Sequence, residues 1–211
     1  MQTHGIPAEL VRSLRTGDTD ALGQLFTLCH DRLKQMIHFR LDHRLARRVD
    51  VEDVLQEVFI DAEKRISHFQ KTAEDASAYV WLRLIALQTL QDTHRRHLGA
   101  QVRDLSREQR IQDSSMQSTA NSMAHLLVGH LTSPSQAIQR AEAIEQVNAA
   151  LEKMPATDQE ILALRNFEEL TSTEVSEVLG IDPGAASLRY IRALKRLQQV
   201  LSQFPDSNRT W

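Results

Sequence analysis

One stretch of the chain decides the fold: residues 50–66 read DVEDVLQEVFIDAEKRI. Its apolar residues recur every three or four positions, which is the spacing of one face of an α-helix. Asp50 suits the N-cap of that helix, because its carboxylate can accept hydrogen bonds from the first free amides. The apolar stripe consists of Val51, Val54, Leu55, Val58, Phe59, Ala62 and Ile66. A helix this amphipathic predicts a helical bundle in which neighbouring helices cover its apolar stripe.

Helices are predicted on both sides of this stretch. Asp18 suits the N-cap of the preceding helix, and a following helix over 77–97 ends in the basic cluster His94 to His97. The preceding helix carries a second apolar stripe, Leu22, Leu25, Phe26, Cys29, Leu33, Met36 and Ile37. The first 97 residues therefore predict a bundle of three or four helices.

Composition favours an all-α fold. The 211 residues contain only seven glycines and five prolines, and the strong helix formers Leu, Ala, Gln, Glu and Arg dominate. The single cysteine, Cys29, excludes an internal disulfide and is expected in the core. No signal peptide or membrane span is predicted. No metal or other cofactor is expected.

The chain is predicted to contain two modules, 1–97 and 135–211, joined by a linker over 98–134. The linker is polar and helical in part, with an apolar patch from Met123 to Val128. The second module begins with a helix near Ser135. That helix is expected to bury one face, made of Ile138, Ala141, Ile144, Val147 and Leu151.

The second module contains the signature of a helix-turn-helix. Thr157 to Glu160 and Thr171 to Glu174 both have the spacing of a capping box, which marks a helix start. Gly180 to Asp182 predicts a short turn, and Pro183 suits the first position of the final helix. A short helix, a turn with glycine and a longer basic helix are the parts that read the major groove of DNA.

The final helix is predicted to bury one stripe and expose a basic face. The buried stripe is Ala186, Tyr190, Ala193, Leu194 and Leu197, and the outward residues are Ala185, Ser187, Leu188, Arg189, Arg192, Lys195 and Arg196. The alternative is a basic face that is merely solvated. The net charge is −3, with ten acidic and two basic residues over 142–182 but four basic and no acidic residues over 183–205. The final helix is therefore a local cationic stripe that can neutralise phosphates despite the negative total.

The two modules resemble bacterial RNA polymerase sigma factors of the extracytoplasmic-function (ECF) type in the sigma-70 family, over about residues 18–97 and 135–204. In the first module, residues 50–59 look like the core helix of sigma region 2. The helix predicted over 77–97 matches the family pattern at Trp81-Leu82, Ile85-Ala86, Asp92 and Arg95-Arg96. In the second module, 154–155, 160–165, 174–181 and 189–193 are similar to sigma region 4.

The resemblance implies a cytoplasmic transcription factor and not an enzyme. Its partners would be core RNA polymerase, contacted by Asp53, Gln56 and Glu57, and promoter DNA. The first module would open DNA at the minus-ten element through segment 68–77 and the residues Gln88, Asp92, Arg95 and Arg96. The outward residues of the final helix would read the minus-thirty-five element. Many such factors are held inactive by an anti-sigma factor, which makes one a further candidate partner.

The sequence also departs from the family pattern at three places. Gln88 stands where the family commonly has Asn, and Ala185-Ala186 replaces a common Thr-Val pair. Glu168-Glu169 occupies a turn where the family often has Gly. These departures concern promoter preference and subfamily.

Three other readings remain at this point. A different helix-turn-helix regulator would share the second module, but the first module lacks the strand pattern of a receiver domain. A helical metal hydrolase would use His30-Asp31, yet the other histidines form no recognisable ligand spacing. An adaptor would bind polymerase without binding DNA.

Overall fold

The computed structural model describes residues 5–42, 44–73, 76–98, 119–128 and 137–202. Throughout these ranges the chain forms helices and turns and no strand, which confirms the all-α prediction. The chain divides into two compact units, Met1–Arg103 and Asp104–Trp211.

Four helices form the first unit. They are α1 Ala8–Arg15, α2 Thr19–Arg40, α3 Val51–Phe69 and α4 Ala78–Leu98. Asp18 caps α2 by accepting hydrogen bonds from the amides of Asp20 and Ala21, at 2.9 and 3.4 Å. Asp50 caps α3 by accepting one from the amide of Glu52 at 2.9 Å. Both predicted N-caps are confirmed.

The core of the first unit lies where α3 packs against α4 and α2. The predicted stripe of α3 is fully buried at Val54, Leu55, Val58 and Ala62 and half-buried at Val51, Phe59 and Ile66. Burying one large aliphatic side chain contributes about 1.5–3 kcal/mol, so this stripe stabilises the bundle. Cys29 is buried, as predicted.

A charged residue also helps to join α2 to α4. The guanidinium of Arg32 lies over the ring of Tyr79, 3.6 Å from its centroid, and both side chains are buried. Stacking on an aromatic ring compensates part of the cost of removing a guanidinium from water. The apolar periodicity of α2 gave no sign that Arg32 lies inside.

In the part of the second unit that the structure describes, the chain forms five α-helices and one π-helical turn. The α-helices are α5 over 119–128, α6 Ala137–Glu152, α7 Ala156–Leu162, α8 Ser172–Leu179 and α9 Pro183–Leu201. The apolar patch of the predicted linker lies on α5, where Met123, Ala124, Leu127 and Val128 are buried.

On α6, Val147 and Leu151 are buried as expected and Ile144 is half-buried, but Ala141 is exposed, so the buried face is narrower than predicted. The side chain of Ile138 lies outside the described residues.

The predicted capping box from Thr157 to Glu160 is wrong. The N-cap of α7 is Pro155, and no side chain caps this helix. Because α7 begins at Ala156, Thr157 is already inside its first turn and its hydroxyl cannot occupy the cap. The prediction from the spacing of Thr157 and Glu160 did not consider Pro155, whose rigid, extended backbone can precede a helix as well as a capping side chain can.

A π-helical turn, Ala163–Phe167, follows α7 directly. The amide of Glu168 donates to the carbonyl of Ala163 at 2.9 Å, which closes this wider turn. Glu169 then adopts a φ of 56°, in the left-handed region that glycine enters at little cost. This is the turn where the resembled family often has Gly, so the departure noted in the sequence carries a local backbone strain.

Candidate nucleic-acid interface

Four residues assigned to promoter DNA lie near the end of α4. Gln88, Arg95 and Arg96 are exposed and Asp92 is half-buried. Arg95 donates a hydrogen bond to Asp92 one turn earlier on the same helix. Arg96 donates to both carboxylate oxygens of Glu57 on α3, at 3.1 and 2.5 Å. Both arginines of this cluster are therefore paired with carboxylates in the free chain.

Asp92, Arg95 and Arg96, but not Gln88, line a groove of about 470 Å³ between α3 and α4. Its walls are Glu57, Asp61, Thr89, Asp92, Arg95 and Arg96. Three carboxylates, those of Glu57 and Asp61 on α3 and Asp92 on α4, accompany two guanidinium groups on α4, so the groove has no excess of positive charge. A phosphate that entered it would have to displace a carboxylate from an arginine.

The three residues assigned to polymerase lie on α3. Asp53 and Gln56 are exposed, whereas Glu57 is half-buried because it faces Arg96. Ile60, one turn beyond Gln56, has 49% of its surface exposed. Asp53, Gln56 and Ile60 recur at helical spacing, so they form one continuous exposed face with an apolar end.

Arg65 is a neighbour of the site that the sequence did not reveal. It lies on α3, 23 positions before Gln88, and its Nη1 donates a hydrogen bond to Oε1 of Gln88 on α4. Because a guanidinium only donates, the atom of Gln88 that faces it must be the amide oxygen. The amide nitrogen of Gln88, with its two donors, is the end left for another partner.

The segment assigned to base capture, 68–77, connects α3 to α4. The structure describes it except for Glu74 and Asp75. Phe69 is buried and its ring lies 5.1 Å from that of Trp81, which is only 9% exposed. Trp81 therefore belongs to the core and is not available for stacking on a base.

The second unit contains the predicted helix-turn-helix. Thr171 accepts a hydrogen bond from the amide of Glu174 at 3.2 Å, and Glu174 accepts one from the amide of Thr171 at 2.8 Å. This reciprocal pair confirms the second capping box. Gly180 ends α8 with a φ of 60°. Asp182 caps α9, where Pro183 holds the first position, as predicted.

On α9 the predicted division into two faces holds with one exception. Ala186, Ala193 and Leu197 are buried and Tyr190 is half-buried, but Leu194 is 37% exposed, so its place in the buried stripe was wrong. Helical spacing turns Leu194 about 100° around the axis from Ala193, so it lies at the edge of the buried stripe. All the residues expected outside are exposed except Arg189, which is half-buried: Ala185, Ser187, Leu188, Arg192, Lys195 and Arg196.

The four cations of α9 differ in their surroundings. Arg196 donates a hydrogen bond to Asp158 of α7, whose side chain is 6% exposed. For Arg189, Arg192 and Lys195 no ion pair is found among the residues that the structure describes. Those three cations are the ones available to DNA. Ile191 lies between Arg189 and Arg192 in the sequence and is 50% exposed. It was not predicted as an outward residue, although it lies off the buried stripe.

Contacts around Tyr190 fix α9 to the π-helical turn. Its hydroxyl donates to Oδ1 of Asn166 at 2.7 Å. The guanidinium of Arg165 lies 5.4 Å from its ring centroid and also donates to the carbonyl of Leu170 at 2.6 Å. These bonds set the direction in which α9 presents its outer face.

Within the described ranges, no three His, Cys, Asp or Glu side chains come together as a metal-binding group. His30, central to the hydrolase reading, lies 3.2 Å from Glu52 and 3.3 Å from Asp31. No helix in the described part of the chain has the length and apolar character needed to cross a bilayer.

Comparisons with known proteins cover both units. Residues 29–98 match the family described as Sigma-70 region 2, and residues 144–197 match Sigma-70, region 4. The chain is 27% identical to RNA polymerase sigma-H factor of Pseudomonas aeruginosa, over 95% of this chain and 96% of that protein. It is 26% identical to the ECF RNA polymerase sigma factor BldN of Streptomyces coelicolor, over 95% of this chain and 67% of BldN.

A third relative and one solved structure extend the comparison. The ECF RNA polymerase sigma factor SigW of Bacillus subtilis is 22% identical, over 90% of this chain and 94% of its own length. The fold is similar to that of CnrH in its complex with the cytosolic domain of CnrY, with a TM-score of 0.52 and 20% identity. That likeness covers 93% of this chain and 97% of CnrH.

Proposed function

Because this chain belongs to the ECF type of the sigma-70 family, and so directs core RNA polymerase to promoter DNA for initiation, we propose a division of labour between its units. Sigma factors are not enzymes, and each role proposed here is a binding role. The first unit docks on polymerase through α3 and opens the minus-ten element through α4 and segment 68–77. The second unit reads the minus-thirty-five element through α9.

One observation carries the assignment of α9: a capped helix-turn-helix presents a helix whose outer face has three cations with no ion pair to any residue that the structure describes. Arg189, Arg192 and Lys195 recur every three residues, so they lie along one side of the helix. An exposed helix of this length fits the major groove, where an arginine can bond two acceptors of a guanine. Lys195 lies farther along the helix and suits a phosphate contact. Ala185, Ser187 and Leu188 are the outward residues of its first turns and complete the proposed reading surface.

Docking on polymerase is proposed for the exposed face of α3. Asp53 and Gln56 project from a helix whose opposite side is the core of the first unit, so they are held rigidly. Ile60 adds an apolar surface at the end of this face. Rigid polar residues beside an apolar anchor are typical of protein interfaces. Glu57 belongs to the same surface once Arg96 releases it.

Strand opening is proposed for the α3–α4 side of the first unit. Opening requires a base to leave the stack and to be held by hydrogen bonds, with cations along the freed strand. Gln88 offers an amide donor there, and Asp92, Arg95 and Arg96 lie within two turns of it. The two arginines would track phosphates after exchanging their carboxylate partners.

The remaining assignments follow from the family. We propose domain bounds of 1–97 and 135–211 with a linker over 98–134, and we propose that the protein acts in the cytoplasm. CnrH, which shares the fold, is in complex with the cytosolic domain of CnrY. By analogy we propose that an anti-sigma factor binds this chain and keeps it from polymerase.

The experiment that tests the function is in vitro transcription with purified core polymerase on a library of promoter sequences. The full chain is expected to direct initiation from a subset of sequences that share two elements. Arg189→Ala should change the preferred upstream element, and Gln56→Ala should lower output from all promoters. If the chain bound polymerase but started transcription without sequence preference, an adaptor role would replace promoter recognition.

A further inference from the structure

A single arginine of α1 holds the beginning of the segment that follows α3. Arg15 donates hydrogen bonds to the carbonyl oxygens of Phe69 and Thr72, at 3.5 and 3.1 Å, and also to that of Ala73. Its guanidinium lies 4.8 Å from the centroid of the Phe69 ring. The carbonyl of Phe69 also accepts from the amide and the hydroxyl of Thr72, at 3.0 and 2.7 Å, so Arg15 adds further donors to the carbonyls at and just beyond the end of α3.

The turn between α1 and α2 approaches the same place independently. Gly17 has a φ of 85°, and a Cβ atom at this position would lie 2.6 Å from Nε2 of Gln70. A side chain at position 17 would thus be both strained and crowded. The α1–α2 turn therefore lies against the end of the Gln70 side chain, and the positive φ of Gly17 is what restricts this position to glycine.

α1 is itself firmly attached to the bundle. Leu14 is completely buried and Leu10 is 9% exposed, and α1 packs on α2 and α3. On the opposite side, the ring of Phe69 lies against Trp81 at the start of α4. Residues 69–73 are thus held between a rigid α1 and a rigid α4. α1 lies before residue 29, where the match to Sigma-70 region 2 begins.

We propose that Arg15 is a positioning residue for strand opening: it holds residues 69–73 in the geometry that captures an unpaired base. This inference rests on the proposed function of segment 68–77. The physical reason is preorganisation, since a base pocket made by a loop loses affinity when the loop must be ordered at the moment of binding. A planar guanidinium can reach several carbonyls at once, whereas the ammonium group of a lysine cannot reproduce that fork.

The test uses holoenzyme made from core polymerase and the full chain, with the variants Arg15→Ala and Arg15→Lys. Promoter capture is measured by mobility shift, and opening by permanganate reactivity of unpaired thymines. Both variants should capture duplex promoter within about twofold of the unchanged chain and open it at least about tenfold less, because misplaced reacting groups cost one to two orders of magnitude. On a premelted template, whose strands are already separated, both variants should perform nearly as well as the unchanged chain.

Arg12→Ala is the matched control, because it removes an exposed positive charge from the same helix. It should open DNA normally. Full activity of Arg15→Lys would overturn the proposal, because charge alone would then suffice. An equal loss of capture and opening in Arg15→Ala, with a lowered melting temperature, would likewise overturn it in favour of a purely structural role.

Failure of this proposal can be told apart from failure of the proposed function. His68→Ala and Lys71→Ala change exposed residues of the segment itself. If these variants impaired opening while Arg15→Ala did not, the segment would keep its role and Arg15 would lose its own. If Arg15→Ala impaired opening while both segment variants opened DNA normally, the role of the segment would fail, and with it this inference.

Discussion

Arg96 donates hydrogen bonds to both carboxylate oxygens of Glu57, at 3.1 and 2.5 Å, and so joins the end of α4 to the middle of α3. The bonds to Glu57 raise the pKa of the Arg96 guanidinium above its ordinary value. One partner of this pair is proposed to face polymerase and the other to face DNA. In the free chain the ion pair therefore engages both side chains. Polymerase binding that recruits Glu57 would release Arg96 toward DNA.

The first prediction concerns Glu57→Gln. Affinity for core polymerase should fall about tenfold, which corresponds to about 1.4 kcal/mol, because the variant loses the charge of the proposed docking face. The free energy of unfolding should change by less than about 1 kcal/mol, since exposed ion pairs contribute little to stability. Fluorescence anisotropy with labelled protein measures the first quantity, and urea unfolding measures the second.

Two controls separate docking from the loss of the ion pair. Glu9→Gln removes an exposed carboxylate from α1 and should leave polymerase affinity unchanged. Arg96→Ala breaks the same ion pair but frees Glu57, so polymerase affinity should stay constant or rise. A fall of equal size in Arg96→Ala would mean that the pair supports the fold of the site and that Glu57 makes no contact with polymerase.

The second prediction uses the hydrogen bond from Arg65 to Gln88. Gln88→Glu keeps an oxygen that accepts from Arg65 but removes the amide donors on the other side of the side chain. If Gln88 recognises an acceptor on the opened strand, this variant should open promoters at least about tenfold less, because leaving a polar partner unsatisfied costs about 1–3 kcal/mol. Gln91→Glu, exposed on the same helix, adds the same charge and should open DNA normally. Normal permanganate reactivity in Gln88→Glu would show that Gln88 serves only to hold Arg65.

The parts of the fold that could be predicted are those set by nearby residues. The caps at Asp18, Asp50, Thr171 and Asp182 each bond amides two or three positions later, so their chemistry is visible in a short window of sequence. The stripes of α3 and α9 follow from helical periodicity in the same way. Thr157 failed because Pro155, two positions earlier, offered a competing start for α7.

The contacts that define the candidate site could not be predicted in this way. Arg96 and Glu57 are 39 positions apart, and Arg196 and Asp158 are 38 apart. Each pair depends on how two helices pack, and no short sequence pattern records that packing. The sequence therefore identified most of the exposed polar residues but not which of them already have partners.

The third prediction follows from the bond between Arg196 and Asp158. The sequence placed Arg196 among the outward residues expected to contact DNA, but the Asp158 side chain is 6% exposed and would lose this ion pair in Arg196→Ala. The free energy of unfolding of the second unit should fall by about 1–2 kcal/mol, a value reduced because the guanidinium itself is half exposed. Lys195→Ala, the exposed neighbour, should change it by less than about 0.5 kcal/mol. Circular dichroism during urea titration distinguishes the two, and equal stability of both variants would contradict a structural role for Arg196.

The fourth prediction concerns pH and His94. Nε2 of His94 accepts a hydrogen bond from the amide of Asp42 at 3.3 Å, and burial lowers the pKa of His94 below its ordinary value of 6.5. Below pH 6.5 the unfolded chain binds the proton more readily, so the stability of the first unit should fall as pH decreases toward the folded pKa. His94→Gln keeps an acceptor and should weaken this dependence, whereas His38→Gln, exposed on α2, should not. Unfolding in urea at pH 8 and pH 5.5 provides the measurement, and identical slopes for the two variants would refute the role of His94.

The last prediction separates base reading from phosphate binding on α9. Arg189 lies nearer the start of α9 than Lys195, and helices of this motif contact bases with their first turns. Arg189→Ala should cost about 1–3 kcal/mol on the preferred promoter and relax preference at the upstream element. Lys195→Ala should instead weaken all promoters alike and reduce the salt dependence of binding by about one unit. Competition binding of holoenzyme to upstream-element variants over a series of salt concentrations measures both effects, and Gln198→Ala, exposed and uncharged on the same helix, is the control. If Arg189→Ala lowered affinity equally for every upstream element, Arg189 would be a phosphate contact, and sequence reading would have to come from other residues of the first turns.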